Sequence, residues 1–149
     1  MINAGLPLGG TCVNVGCLLS KRLLRAAEII HFVQNHKLPG IELEVKNFNF
    51  QTLIEDELNL VSQMRKEKYE KDLSALDSVS FLEGCAKFCS QNEIRVNEET
   101  LRAERIIIAT GSKAAVPPIR GITETGYVTH IEALSLNQLP ERLIIIGAG

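Results

Sequence analysis

The motif "GGTCVNVGC", which ends at Cys17, constrains this chain more than any other stretch of its sequence. Glycines open a loop, and Cys12 precedes Cys17 where apolar residues begin to recur at helical spacing, over residues 13–36. That spacing predicts a helix beginning near Val13 or Asn14, with Cys12 just ahead of it and Cys17 in its first turns. Unpaired N–H groups at a helix N-terminus stabilise a thiolate, which is the reactive form of cysteine.

Four interpretations account for a pair of cysteines at this spacing. A structural disulfide is uncommon in a reducing cytosol. A zinc site needs four ligands, and Cys85 and Cys89 could complete a set, although both fit a strand pattern and are interpreted as plain strand residues. Two unrelated buried cysteines are a third reading. A redox-active disulfide is favoured, because Gly16, the helix start and the spacing agree with it, and Gly16 leaves room for a planar partner.

Composition narrows the classes of partner. The chain has 149 residues, 45% of them hydrophobic and 23% charged, which suffices for one domain with its own core. A net charge of −2 gives no electrostatic reason to expect nucleic acid. No apolar run approaches the roughly 18 residues of a membrane span, so no membrane partner is expected. With no signal peptide visible, the expected location is cytoplasmic.

The rest of the chain mixes helical and strand patterns. Over residues 50–76 the apolar residues recur at helical spacing with charged residues between them, which predicts a second long amphipathic helix. A β-meander is predicted over residues 79–84, 86–90 and 93–97, with a turn at Gln91 and Asn92.

Two apolar runs predict fully buried parallel strands, "RIIIATGS" from Arg105 to Ser112 and "LPERLIIIGAG" from Leu139 to Gly149. The second run ends in Gly-Ala-Gly, the beginning of a fingerprint that places a pyrophosphate on a helix N-terminus. Residues 1–8 predict no strand or helix. The pattern is that of an α/β chain, an interior piece of a longer enzyme that binds two nucleotides.

The longest motif, "GGTCVNVGC-x-x-SK", closely resembles the active-site signature of the flavin-dependent pyridine nucleotide–disulfide oxidoreductases. The resemblance continues through "EGCAKF", "IIIATGS", "VPPI" and "LPERLIIIGAG", and within the family the wording is most similar to the mercuric reductases. The chain departs from the family at Leu18 and Leu19, where members usually carry an aliphatic residue followed by proline. Without proline, the turn after Cys17 is expected to be less constrained.

The resemblance implies that the chain has an α/β fold. The chain would be part of a Rossmann-like FAD-binding domain with two long helices and a β-meander, and it would end at the first strand of an NAD(P)-binding domain. Residues 1–136 would form the partial FAD-binding domain with the redox-active disulfide, and residues 137–149 the truncated start of the second domain. The family assembles as homodimers. The 149 residues by themselves are therefore expected to lack reductase activity.

The resemblance also implies roles for single residues. Cys12 would be the interchange thiol that meets substrate, and Cys17 would lie against the flavin and donate charge to it. Both sulfurs would hold Hg(II) transiently, as the metal ligands of a mercuric reductase. Thr11 and Lys21 would touch FAD, and Ala86 would contact its adenine end through the backbone. Lys21 also fits a solvated helix position, and Ala86 a plain strand position.

The remaining cofactor residues are glycines and a threonine at the ends of the two apolar runs. Thr110 and Gly111 would close over the flavin side of the dinucleotide, and Gly147 and Gly149 would open the NAD(P)H site. Electrons would pass from NAD(P)H through FAD to the disulfide and then to a small substrate, Hg(II) or a disulfide. The alternatives are a dihydrolipoamide dehydrogenase or glutathione-reductase-like enzyme, an inactive truncated nucleotide-binding remnant, and a metal-binding module of four cysteines.

Overall fold

Two amphipathic helices supply most of the regular structure in the computed structural model, which describes residues 1–147. Five short strands and several shorter helical segments accompany them. The helices are α1 (Gly10–Asn14), α2 (Cys17–Asn35), α3 (Phe50–Arg65), a π-helical turn (Lys66–Glu70), α4 (Lys71–Ser74), α5 (Ile122–Thr125) and α6 (His130–Ala133). The strands are β1 (Ile2–Asn3), β2 (Leu82–Glu83), β3 (Ala86–Ser90), β4 (Glu93–Val96) and β5 (Glu99–Arg102). None of the helices in residues 1–147 is long and apolar enough to cross a membrane.

The prediction of two long helices is confirmed, with one correction. The second helix runs continuously as α3, the π turn and α4, and its first residue is capped by the Asn49 side chain, which accepts from the Thr52 N–H at 3.0 Å. The first predicted helix is broken instead. Gly16 leaves helical geometry (φ −143°, ψ −109°), so that α1 ends at Asn14 and α2 begins afresh at Cys17.

The core between these helices is small and apolar. Val13 of α1, Leu19 of α2 and Val61 of α3 are buried together, with exposed fractions of 5%, 1% and 6%. Leu18 and Met64 pack against them. Burying an aliphatic side chain of this size contributes about 1.5–3 kcal/mol, so this cluster fixes α1 to the two long helices.

The second and third predicted strands of the meander are confirmed as β3 and β4, but the third strand of this sheet is β5 and not the predicted strand over residues 79–84. β3, β4 and β5 pair antiparallel in that order, and the chain turns at residues 91–92 as expected. β5 was not predicted, since "ETLR" lacks apolar alternation. The first predicted strand shrinks to β2, which pairs in parallel with β1, Ile2 opposite Leu82. The expectation of no element before the cysteine motif is therefore wrong.

The expectation that the two apolar runs are buried strands is also wrong. Residues 105–112 and 139–147 have no strand assignment, and Ile107 and Ile144 are 91% and 89% exposed. A strand is held by hydrogen bonds to a neighbour, and no strand within residues 1–147 pairs with either run. The described residues are thus a mixed α/β arrangement with small sheets, in which β1 and β2 form the only parallel strand pair.

A buried carboxylate lies between the long helices. Glu57 of α3 is 1% exposed, and neither of its carboxylate oxygens has a hydrogen-bond partner among the described residues. Burial raises the pKa of Glu57 from 4.5 to about 7; the positive charge of Arg22 on α2 opposes the rise and the neighbouring Asp56 adds to it. Arg22 itself forms an ion pair with Asp56.

This carboxylate predicts a pH-dependent stability. Because the folded chain holds the Glu57 proton up to a pH of about 7 and the unfolded chain releases it near 4.5, the free energy of unfolding falls as pH rises between these values. The loss amounts to about 3 kcal/mol at most. Glu57→Gln should remove it, making the variant more stable than the parent at pH 8 and close to it below pH 4.5. Urea unfolding across this range measures the effect.

The matched control is Glu55→Gln, an exposed glutamate on the same helix. It should leave the pH dependence of the parent in place. Equal pH dependence in Glu57→Gln and in the parent would show that Glu57 is solvated rather than buried.

Candidate redox site

The cysteine motif is arranged around the break between α1 and α2. Cys12 lies inside α1 rather than ahead of a helix, and Cys17 is the first residue of α2. The Val15 N–H donates to the Thr11 carbonyl at 3.0 Å, which closes α1. A Cβ placed on Gly16 would lie 2.9 Å from the same Thr11 oxygen. Only glycine therefore fits where the chain folds back from Cys12 to Cys17.

The two thiols meet across this break. Both are free and exposed, and the Cys17 side chain is near enough to perturb the Cys12 thiol. Side-chain hydrogen bonding with Cys17 is the main cause that raises the pKa of Cys12, with desolvation and repulsion from Cys17 adding to it. The ammonium group of Lys21 and the backbone N–H of Cys17 pull the pKa of Cys12 in the opposite direction. The start of α2 therefore favours negative charge on the Cys12 sulfur.

The other residues predicted near the sulfurs fall on the same side of the motif. Thr11 is exposed in α1 directly before Cys12, and Lys21 is exposed one turn after Cys17, within electrostatic reach of Cys12. Because Gly16 has no side chain, the backbone of the motif is left uncovered at this position. Exposed donors around a bare backbone fit the flat ring system of FAD, so the residues present are compatible with that cofactor.

The residues predicted to contact the rest of the nucleotides are not brought to the cysteines. Ala86 is the exposed first residue of β3, and Thr110, Gly111 and Gly147 lie in exposed segments outside the regular elements. Gly111 and Gly147 have positive φ of 69° and 90°. No hydrogen bond or ion pair among residues 1–147 links these positions to α1 or α2. The prediction for Gly149 lies outside the described residues.

Two cavities flank β1. One of about 430 Å³ lies between the glycines before Cys12 and the helical segment that contains Tyr69 and Leu73. The other, about 490 Å³, is lined by residues 3–7 and 83–85 and so ends next to Ala86 in the chain. Across residues 1–147, no group of three or more His, Cys, Asp or Glu side chains has the geometry of a metal site.

Asn14, which the motif did not mark as a functional residue, holds the motif in shape. The Asn14 amide nitrogen lies 3.0 Å from the Pro7 carbonyl oxygen, 3.1 Å from that of Leu8 and 2.9 Å from that of Gly10. Its amide oxygen accepts from Arg65 of α3. An asparagine between the two cysteines and close to a glycine-rich loop was the available sequence signal, because side-chain amides in such positions bond to nearby carbonyls.

Comparison with known proteins identifies relatives along the whole chain. The sequence profile of the pyridine nucleotide-disulphide oxidoreductase family matches residues 1–149. Among curated proteins, the mercuric reductase of Bacillus cereus is 40% identical over 151 residues, covering 100% of this chain and 23% of that protein. The mercuric reductase of Staphylococcus aureus is 41% identical over 149 residues, covering 100% of this chain and 27% of that protein. The chain thus spans about a quarter of the length of the curated relatives it matches.

The fold has relatives among solved structures. The Cu(II) complex of RclA, an HOCl-induced flavoprotein disulfide reductase from Escherichia coli, superposes with a TM-score of 0.74 at 27% sequence identity. The match covers 93% of this chain and 28% of that chain. The arrangement of helices and small sheets described above is therefore that of a segment of a flavoprotein disulfide reductase.

The contact between the sulfurs predicts how Cys12 titrates. In a background of Cys85→Ser and Cys89→Ser, the additional variant Cys17→Ala should lower the pKa of Cys12, because its main cause of elevation is removed. Lys21→Gln should raise the pKa of Cys12, because a stabilising positive charge is lost. The rate of iodoacetamide alkylation as a function of pH reads both shifts. A Cys12 profile that is unchanged by Cys17→Ala would mean that the two sulfurs do not interact.

Proposed function

This chain belongs to the pyridine nucleotide-disulphide oxidoreductase family, and we propose that it carries the dithiol of an NAD(P)H-dependent FAD enzyme that reduces mercury(II). The observation that carries the proposal is the placement of two exposed, interacting thiols, Cys12 in α1 and Cys17 at the start of α2, on either side of the break at Gly16. Two neighbouring sulfurs can join as a disulfide with the loss of two electrons and two protons, and the reverse reaction restores the dithiol.

The residues around the pair suit this exchange. Reducing the Cys12–Cys17 disulfide adds two electrons and requires protons. The raised pKa of Cys12 favours the protonated form of that thiol in the reduced chain. The ammonium group of Lys21 and the backbone N–H of Cys17 stabilise negative charge on the Cys12 sulfur.

The cofactors have candidate contacts in the chain. When bound, FAD would supply two-electron transfer from NAD(P)H to the disulfide, with Thr11, Lys21 and Cys17 holding it beside the pair. Ala86 follows Cys85, which lines the cavity beside β1, and this position suits a contact to the nucleotide end of FAD. The remaining contacts are assigned from the family motifs, FAD to Thr110 and Gly111, and NAD(P)H to Gly147 and Gly149.

Domain boundaries follow from the same motifs. Residues 1–136 would belong to the FAD-binding domain, and residues 137–149 would begin the NAD(P)-binding domain. The family's homodimeric assembly is proposed for this protein as well.

Mercury(II) is the proposed substrate because it is a soft ion that prefers thiolate ligands, and both sulfurs are exposed to receive it. Two electrons from the reduced enzyme would convert Hg(II) to Hg(0). The neutral metal is not bound by thiolates and would be released. Two relatives that are about 40% identical over the full chain bear the name mercuric reductase, which supports this choice.

A second candidate is reduction of an organic disulfide, as in dihydrolipoamide dehydrogenase or glutathione reductase. The similarity to a flavoprotein disulfide reductase of 27% identity favours it. In that case Cys12 would attack the substrate disulfide and release one thiol, and Cys17 would then displace the second.

Mercury binding by the reduced chain tests the proposal. In excess small monothiol, the chain should retain one Hg(II) per molecule, because two adjacent thiols chelate more strongly than separate ones. Cys12→Ser and Cys17→Ser should each abolish retention, and the matched Cys85→Ser and Cys89→Ser should not. Gel filtration followed by metal analysis measures the retained mercury.

The same preparations discriminate the second candidate. Oxidised lipoamide or glutathione disulfide should oxidise the reduced pair no faster than they oxidise a simple dithiol. Fast oxidation by either disulfide, with no mercury retained in excess thiol, would move the assignment to the disulfide reductases.

A further inference from the structure

The Asn14 side chain ties the loop before Cys12 to the end of α1. A primary amide has two N–H donors, and here they are shared among the carbonyl oxygens of Pro7, Leu8 and Gly10, all within 3.1 Å. The Gly10 N–H donates in turn to the Pro7 oxygen at 3.4 Å. Cys12 lies inside the ring of atoms that these bonds close.

Arg65 fixes the other side of Asn14. Its Nη1 donates to the Asn14 amide oxygen at 3.2 Å, linking α1 to the last turn of α3 across 51 positions of sequence. The Arg65 side chain is only 26% exposed, and its Nε lies 3.5 Å from Oε1 of Glu70 in the π turn. The guanidinium group is therefore held from both sides, which gives it a defined orientation. Asn14, Arg65 and these contacts are called the Asn14–Arg65 clamp below.

From these contacts we infer that Asn14 and Arg65 are positioning residues for the cysteine pair, setting how readily Cys12 and Cys17 form their disulfide. The inference rests on the proposed dithiol function. Val13 anchors one side of α1 in the core, and the clamp fixes the loop and the end of α1. With both in place, α1 cannot shift relative to the Cys17 end of α2, so the Cys12 sulfur stays beside its partner.

The test measures the equilibrium of thiol–disulfide exchange between the Cys12–Cys17 pair and glutathione. Glutathione disulfide accepts two electrons and breaks its S–S bond, while the Cys12 and Cys17 thiols lose two protons and form theirs, releasing two molecules of glutathione. The equilibrium constant of this reaction reflects the effective concentration of one protein thiol at the other. A loosened α1 lowers that concentration and shifts the equilibrium toward the dithiol.

The experiment uses the full chain in a background of Cys85→Ser and Cys89→Ser, with the disulfide quantified by mass spectrometry in glutathione buffers. Asn14→Ala and Arg65→Met should each lower the equilibrium constant for disulfide formation about tenfold, a potential change of ~30 mV. The double variant should lose about as much as either single variant, because both changes open the same clamp. Arg65→Lys should recover only part, since an ammonium group lacks the guanidinium fork.

The matched control is Arg25→Met, which removes an exposed arginine of α2 that pairs with Glu28. It should stay within twofold of the parent. Melting temperatures are recorded for every variant, and if Asn14→Ala does not fold, the two Arg65 variants carry the test.

Two failures are distinguishable. If the parent forms the disulfide and the clamp variants match its equilibrium constant while losing thermal stability, the clamp has a structural role only and the inference is wrong. If the parent never forms the Cys12–Cys17 disulfide, the proposed function fails and the inference fails with it.

Discussion

The approach of Gly16 to the Thr11 carbonyl oxygen governs the geometry of the whole site. A Cβ at Gly16 would stand 2.9 Å from that oxygen, inside van der Waals contact, so only glycine lets the chain fold back there. The fold-back ends α1 and lets α2 begin at Cys17, which brings the Cys17 side chain near enough to raise the pKa of the Cys12 thiol. One glycine thus converts a sequence spacing into a pair of interacting sulfurs.

Apolar packing and polar contacts around Gly16 hold α1 and α2 in place. Leu19 takes the position where family members usually carry proline, and it is 1% exposed in the core beside Val13 and Val61. No turn follows Cys17, because α2 already runs through Leu19. The expected looseness after Cys17 is therefore replaced by helix and core packing. The polar contacts of Asn14 then hold the side of α1 that the core does not reach.

The long helices and the meander were predictable because the spacing of apolar residues within each helix or strand indicates its type. The predictions failed where the conformation of a segment depends on contacts with other segments of the chain. The break at Gly16 is set by a contact with Thr11, and β1 is too short to show a period, being held by its pairing with β2. The isoleucine runs around Ile107 and Ile144 read as buried strands, yet no strand in residues 1–147 pairs with them. At the site, the cysteine pair was predictable from its motif, whereas the contact of Asn14 with Arg65 joins positions too distant for any local pattern.

The central claim is that Cys12 and Cys17 form one reversible redox pair while Cys85 and Cys89 remain separate thiols. Peptide mapping by mass spectrometry after mild oxidation of the unmodified chain, and again after reduction, tests it most directly. The account predicts a single intramolecular disulfide between Cys12 and Cys17 that disappears on reduction, with Cys85 and Cys89 alkylated in both states. A disulfide that joins Cys12 or Cys17 to Cys85 or Cys89, or the absence of any disulfide, would contradict it.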